Sequence, residues 1–119
     1  MPRRDPRLFL HEIVAAADEL LAAISGKSYQ DFVNDKVLRR AVERNFEIIG
    51  EATRRAVEGD ERVRDAIPEA HTIIALRNIL AHGYWTVRTE ELWSIATDRV
   101  PELRARAQGI LQTLEGHGR

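Results

Sequence analysis

The run Arg77-Asn78-Ile79-Leu80-Ala81-His82-Gly83-Tyr84 carries the densest chemistry in this chain. Arginine grips phosphate oxygens with a planar fork of donors that never loses its charge. Histidine is the side chain best poised to take or give a proton near neutral pH. RNA supplies its own nucleophile, the 2′-hydroxyl. A protein that cuts it has to remove that proton, stabilise the extra negative charge on the phosphate and protonate the leaving 5′-oxygen. His82 fits the base or acid, and Arg77 fits the electrostatic partner of the charged transition state. Asn78 can orient His82 or bond a phosphate oxygen. The scheme needs no metal ligand, leaves a 2′,3′-cyclic phosphate and a 5′-hydroxyl, and spares DNA.

With 16 Arg and 4 His in 119 residues, an Arg-x4-His spacing alone carries little information. The full octad, with Asn after the Arg and Tyr two past the His, is far more specific. A plainer reading stands beside the catalytic one. Arg and His at the end of a helix can simply complement the helix dipole and bond its last carbonyls. Asn and Gly there are ordinary termination signals, and Tyr84 and Trp85 can be core or interface aromatics.

Helical geometry constrains the pair. At 100° per residue, Arg77 and His82 point roughly 140° apart in a regular helix, whereas Asn78 and His82 share a face. Two arrangements reconcile them. His82 can lie past the last regular turn, where Gly83 lets the chain swing. Alternatively, the site is composite, with the octads of two copies facing across a two-fold axis, which predicts a homodimer.

The elements that must position these residues read as helices. Asp5-Pro6 is a helix start, an N-cap oxygen followed by proline in the first turn. Leu10, Ile13, Val14, Ala17, Leu20, Leu21 and Ile24 recur at helical spacing until Ser25-Gly26. Ser28 with Asp31 marks a weak start for a short turn through Phe32. Asn34 or Asp35 caps a second long helix with the stripe Val37, Leu38, Ala41, Val42, Asn45, Ile48, Ile49, Ala52 and Ala56, closed by Gly59-Asp60. Residues 60–70 read as loop with a turn or two of helix. A third main helix spans about Glu69 to His82. A last one begins near Thr86 to Thr89 and carries Pro101, a site for a kink. No segment alternates as a strand. The expectation is an all-α, antiparallel bundle of four to five helices.

The composition suits one domain over residues 1–119, with its core at about 5–114. The absence of cysteine excludes disulfides, thiolate catalysis and Cys-based zinc sites, and fits a cytoplasmic location. The apolar stretch Ile13 to Ile24 is broken by Asp18 and Glu19, so neither a signal peptide nor a membrane span is expected. A net charge of −1 and a pI near 6.4 argue against a generic, charge-driven nucleic-acid binder. Any RNA contact has to come from a local patch. Arg44 and Glu51, seven apart on the second long helix, can line a cleft, Arg44 gripping RNA and Glu51 orienting Arg77. They can equally be intrahelical ion pairs. Arg39, Arg40, Arg54 and Arg55 can guide RNA, although solvated helix faces look alike. His11 reads as a surface residue, His71 as a capping or surface residue rather than a second catalytic base, and His117 as tail. No constellation has metal-ligand spacing, so neither metal nor cofactor is expected.

The octad resembles the Arg-Asn-x-x-x-His motif of the HEPN superfamily, and the chain as a whole resembles its HepT-like group, in which the motif reads Arg-x4-His-x-Tyr. Arg77, Asn78, His82 and Tyr84 match. So do the turn Ser28-Tyr29-Gln30-Asp31-Phe32, the second-helix run from Arg40 to Ala52 and the run from Val87 to Trp93. The stretch Glu58 to His71 matches less well, because Glu69-Ala70-His71 follow Pro68 where the group commonly has an aromatic residue. The resemblance covers about Asp5 to Leu114. It implies a homodimeric HEPN-like bundle acting as the ribonuclease toxin of a type VII-like toxin–antitoxin module. The implied partner is a minimal nucleotidyltransferase antitoxin of the MntA type, which attaches AMP to the motif tyrosine, here Tyr84. A bulky anion beside Arg77 and His82 would compete with the RNA phosphate. A reading of another class is a non-catalytic HEPN module that assists a partner nucleotidyltransferase.

Overall fold

The computed structural model describes residues 5–81 and 89–117 of the chain. Asp5 caps the first helix, α1 (Pro6–Ile24), its carboxylate accepting the Arg7 backbone N–H at 3.0 Å. The chain leaves α1 through Gly26 at φ 74°, a left-handed conformation that glycine adopts without a Cβ penalty. The short α2 (Tyr29–Asn34) opens with a reciprocal capping box. Ser28 Oγ accepts the Asp31 N–H at 3.1 Å, and Asp31 accepts the Ser28 N–H at 2.8 Å. Asp35 then caps α3 (Lys36–Gly59) by accepting the Leu38 N–H at 3.0 Å. Asp60 caps α4 (Glu61–Ala66) in the same way through the Arg62 N–H. After Pro68, α5 runs from Ala70 to Ala81.

Beyond the undescribed stretch, α6 (Thr89–Ser94) passes through a π-helical turn, Ile95–Arg99, into α7 (Val100–His117). Pro101 explains that turn. Its nitrogen has no hydrogen to donate and its ring crowds the carbonyl four residues back. The helix widens ahead of it, the Val100 N–H reaching back five residues to the Ile95 carbonyl. The irregularity expected at Pro101 is therefore a widened turn that precedes it. Counting Thr89–His117 as one rod, the described residues form six helices and no strand. The expected four to five fell short because α2 and α4 are capped helices in their own right. None of the described helices is long and apolar enough to cross a membrane.

The long helices alternate in direction. Arg55 near the end of α3 lies over the Phe9 ring near the start of α1, and Arg104 of α7 pairs with Asp18 of α1 at 2.6 Å. One apolar core joins them, centred on Leu10, Ile13, Leu20, Phe46, Ile49, Leu103 and Leu111. Each such side chain contributes about 1.5–3 kcal/mol on burial. Phe32 closes one end, its ring 5.2 Å from that of Trp93.

The expected apolar stripe of α3 needs correction at both margins. Val37 lies in the first turn and is 79% exposed. Phe46, Gly50 and Thr53, outside the stripe, are buried. The cause is the position of α3, which packs against α1 on one side and α5 on the other. A helix held on two sides buries a wider arc than one apolar face. Its buried polar groups turn back on their own backbone: Thr53 Oγ1 donates to the Ile49 carbonyl at 2.7 Å, and Asn45 Nδ2 to that of Ala41 at 3.0 Å.

Candidate functional site

Arg77 sits in the penultimate turn of α5, where that helix meets α3. The two helices pass close together at Gly50. A Cβ built on Gly50 would lie 2.2 Å from Arg77 Cβ and 2.7 Å from its Cγ. Only glycine lets the arginine stem pass this close to the α3 backbone. The stem therefore crosses α3, and its head reaches the residue after the glycine. Arg77 Nη2 lies 3.3 Å from Glu51 Oε2, while Nη1 donates to Asn78 Oδ1 at 3.0 Å.

Glu51 is itself firmly held. Its other oxygen, Oε1, accepts from Arg54 Nε at 3.0 Å and faces Arg55 Nε at 3.3 Å. Arg54 is in turn tied to Glu58 at 2.9 Å. Hydrogen bonding from Arg54, with added attraction from Arg55 and Arg77, holds the Glu51 carboxyl below the usual range, so it stays ionised at neutral pH. The two carboxylate oxygens thus have separate duties. One is anchored along α3, and the other is turned to α5.

The surroundings form an open groove of about 230 Å³ on the outer side of α3, lined by Glu12, Arg44, Glu47, Ile48, Glu51 and Arg77. Arg44 is largely exposed and pairs with Glu47 at 3.2 Å along its own helix. Arg44 and Glu51 therefore do line one cleft, and Glu51 contacts Arg77, yet both also make the intrahelical pairs that were the competing expectation. Arg40 pairs with Glu43, Arg54 and Arg55 with Glu51, and Arg39 donates to the carbonyls of Phe32 and Val33 at the end of α2. His11 and His71 are exposed, as expected. Among the described residues, no three potential ligands converge as for a metal ion.

His82 and Tyr84 lie outside the described residues. Arg77 and Asn78 both lie within regular helix, since α5 runs through Ala81. The Asn78 side chain is placed on the Arg77 guanidinium. Sequence reasoning missed Gly50, Glu12 and Glu47. Gly50 left a readable signal, a lone glycine inside a strong helical pattern, which usually marks close packing. The two glutamates left none, since they resemble any solvated helix face.

Comparison with known proteins gives the chain a family. The family model described as "Ribonuclease HepT-like" matches residues 13–110. A protein of Methanocaldococcus jannaschii named "Putative RNase MJ1380" is 33% identical over 108 residues, covering 91% of this chain and 98% of that protein. "Putative RNase TTE0752" of Caldanaerobacter subterraneus is 33% identical over 109 residues, covering 92% and 96%. "Probable ribonuclease HepT" of Thermococcus cleftensis is 31% identical over 100 residues, covering 83% and 90%. No solved structure matches the chain. A match along nearly the whole helical domain, with relatives of the same length, means that this chain belongs to the HepT-like ribonuclease family.

Proposed function

We propose that the protein is a metal-independent endoribonuclease toxin that cleaves RNA by attack of the 2′-hydroxyl on the adjacent phosphate. Arg77 stabilises the charge that develops on the phosphate. His82 moves the proton. Asn78, bonded to Arg77, holds the plane of the guanidinium. The observation that carries the reading is the state of Arg77. Its head is partly exposed in an open groove, yet restrained by partners on both sides. Such a group meets a phosphate with little reorganisation. Membership of a ribonuclease family supports the same reading.

Two further parts belong to the proposal. Two copies of the chain form a homodimer in which facing octads share one composite site, so that Arg77 and His82 need not meet within one helix. A nucleotidyltransferase antitoxin of the MntA type neutralises the toxin by attaching AMP to Tyr84, next to the catalytic pair. The protein acts in the cytoplasm.

One observation favours the second reading, a non-catalytic module assisting a nucleotidyltransferase. The groove carries three carboxylates, Glu12, Glu47 and Glu51, against two guanidiniums. That balance is unfavourable for phosphate unless other basic residues join it. Expression of the chain alone in bacteria separates the two. The toxin reading predicts growth arrest that Arg77→Ala and His82→Ala abolish while fold and association state persist. Arrest by all three proteins, or by none, would favour the module.

A further inference from the structure

Gly50 and Glu51 are consecutive, and both meet Arg77, one at the root of the side chain and the other at its tip. The Arg77 stem lies against the bare Gly50 backbone. Its Nη2 lies 3.3 Å from Glu51 Oε2. Three observations show that this carboxylate is built to hold a position. Its second oxygen is pinned by Arg54 and Arg55. Arg54 is fixed from behind by Glu58. On the far side, Asn78 takes the other terminal nitrogen of Arg77 at 3.0 Å. The chain of contacts Glu58–Arg54–Glu51–Arg77–Asn78 leads from the exposed surface of α3 into the groove.

We propose that Gly50 and Glu51 form a saddle that sets the place and plane of the Arg77 guanidinium, with Glu51 a positioning residue that does not touch the reacting atoms. This rests on the catalytic role of Arg77 proposed above. Glu51 opposes binding while serving catalysis. Its charge repels an incoming phosphate, but its grip removes the rotational freedom of a long side chain before substrate arrives. Nη2 carries two hydrogens, so it can hold Glu51 with one and offer the other to phosphate, and the carboxylate keeps its grip when substrate binds.

The proposal predicts a split between the two kinetic constants. Glu51→Ala should lower kcat by about 10- to 100-fold, the range set by misplacing a transition-state donor. KM should stay the same or fall, because a negative charge leaves the groove. Glu51→Gln, which keeps an acceptor of the same reach, should recover part of kcat. In an Arg77→Ala background, Glu51→Ala should have no further effect, because a positioning residue has nothing left to position.

A readout independent of activity accompanies the kinetics: the side-chain 15N signals of Arg77 in the full chain, assigned by their loss in Arg77→Ala. Slow guanidinium rotation in wild type and fast rotation in Glu51→Ala are expected. Equal rotation in both would overturn the saddle whatever the kinetics. Faster rotation with an inactive Arg77→Ala and an unimpaired Glu51→Ala would overturn the positioning role alone. Faster rotation with a fully active Arg77→Ala would overturn the catalytic reading beneath it.

Discussion

Glycine-to-alanine substitution at two places in this protein should change stability with opposite sign. Gly109 lies inside α7, and a Cβ there meets nothing within 4 Å. Alanine should then stabilise the helix by about 0.5–1 kcal/mol, the ordinary gain from restricting the unfolded chain. Gly50 lies inside α3, but its Cβ would stand 2.2 Å from Arg77 Cβ and 3.2 Å from the Ile73 carbonyl oxygen. Carbon atoms rest about 3.5–4.0 Å apart, so α5 has to retreat by more than an ångström. The neighbours are backbone and the rigid root of a side chain, and neither can swing aside. Overpacking of this kind costs about 1–3 kcal/mol, and the upper end applies because relief requires a helix to move. Subtracting the propensity gain leaves a net loss of about 2 kcal/mol. Urea unfolding of wild type, Gly109→Ala and Gly50→Ala measures both, the midpoint rising in the first variant and falling in the second. Thermal melts should follow, by roughly 4 °C per kcal/mol for a domain of this size. A Gly50→Ala protein as stable as wild type would refute the close approach of α3 and α5 and the saddle built on it.

Phe46, 1% exposed between α3 and its neighbours, should cost about 3–5 kcal/mol when cut to alanine, read by denaturant unfolding; a loss under about 1 kcal/mol would mean the core is misassigned. The Asp18–Arg104 pair is largely exposed, so Asp18→Asn should leave the urea midpoint almost unchanged despite its 2.6 Å contact; a clear fall in the midpoint would show it to be a true clamp. Glu51 ionises below its ordinary value of 4.5 because Arg54 donates to it. A depressed folded value means that its contribution is present above pH 4.5 and is lost as pH falls through the folded value. Asp31, lowered chiefly by the Ser28 backbone N–H, behaves alike from 3.8 downward. Melting temperatures should therefore drop on acidification below about pH 5, with a shallower slope in Glu51→Gln. An unchanged slope in that variant would contradict the assignment.

Several helix starts were legible from local capping chemistry, although Asp60, read as the end of α3, also caps α4. Asp5-Pro6, Ser28 with Asp31, and Asp35 each announced a helix start, and each is used. Gly26 announced a stop because a left-handed residue needs no context. What escaped was decided between helices. Phe46 and Thr53 are buried on a helix that packs against both α1 and α5, and no periodicity within α3 encodes a second neighbour. Val37 fitted the apolar spacing but precedes the point where neighbours cover the helix. The widened turn before Pro101 follows from proline chemistry, although a kink satisfied the same constraint. At the candidate site, the types of Arg77 and Asn78 were evident, as was the pairing of Glu51 with something cationic. That Glu51 divides its oxygens between two helices depended on Gly50, whose role appears only when α5 is laid against it.

The central claim is that Arg77 and His82 cut RNA without a metal. Purified wild-type protein, first checked by intact mass for an unmodified Tyr84, should be incubated with total cellular RNA in EDTA beside Arg77→Ala and His82→Ala. The account predicts cleavage by the wild type alone, leaving 2′,3′-cyclic phosphate and 5′-hydroxyl ends. Intact RNA with unmodified wild-type protein, or equal cleavage by folded His82→Ala, would contradict it.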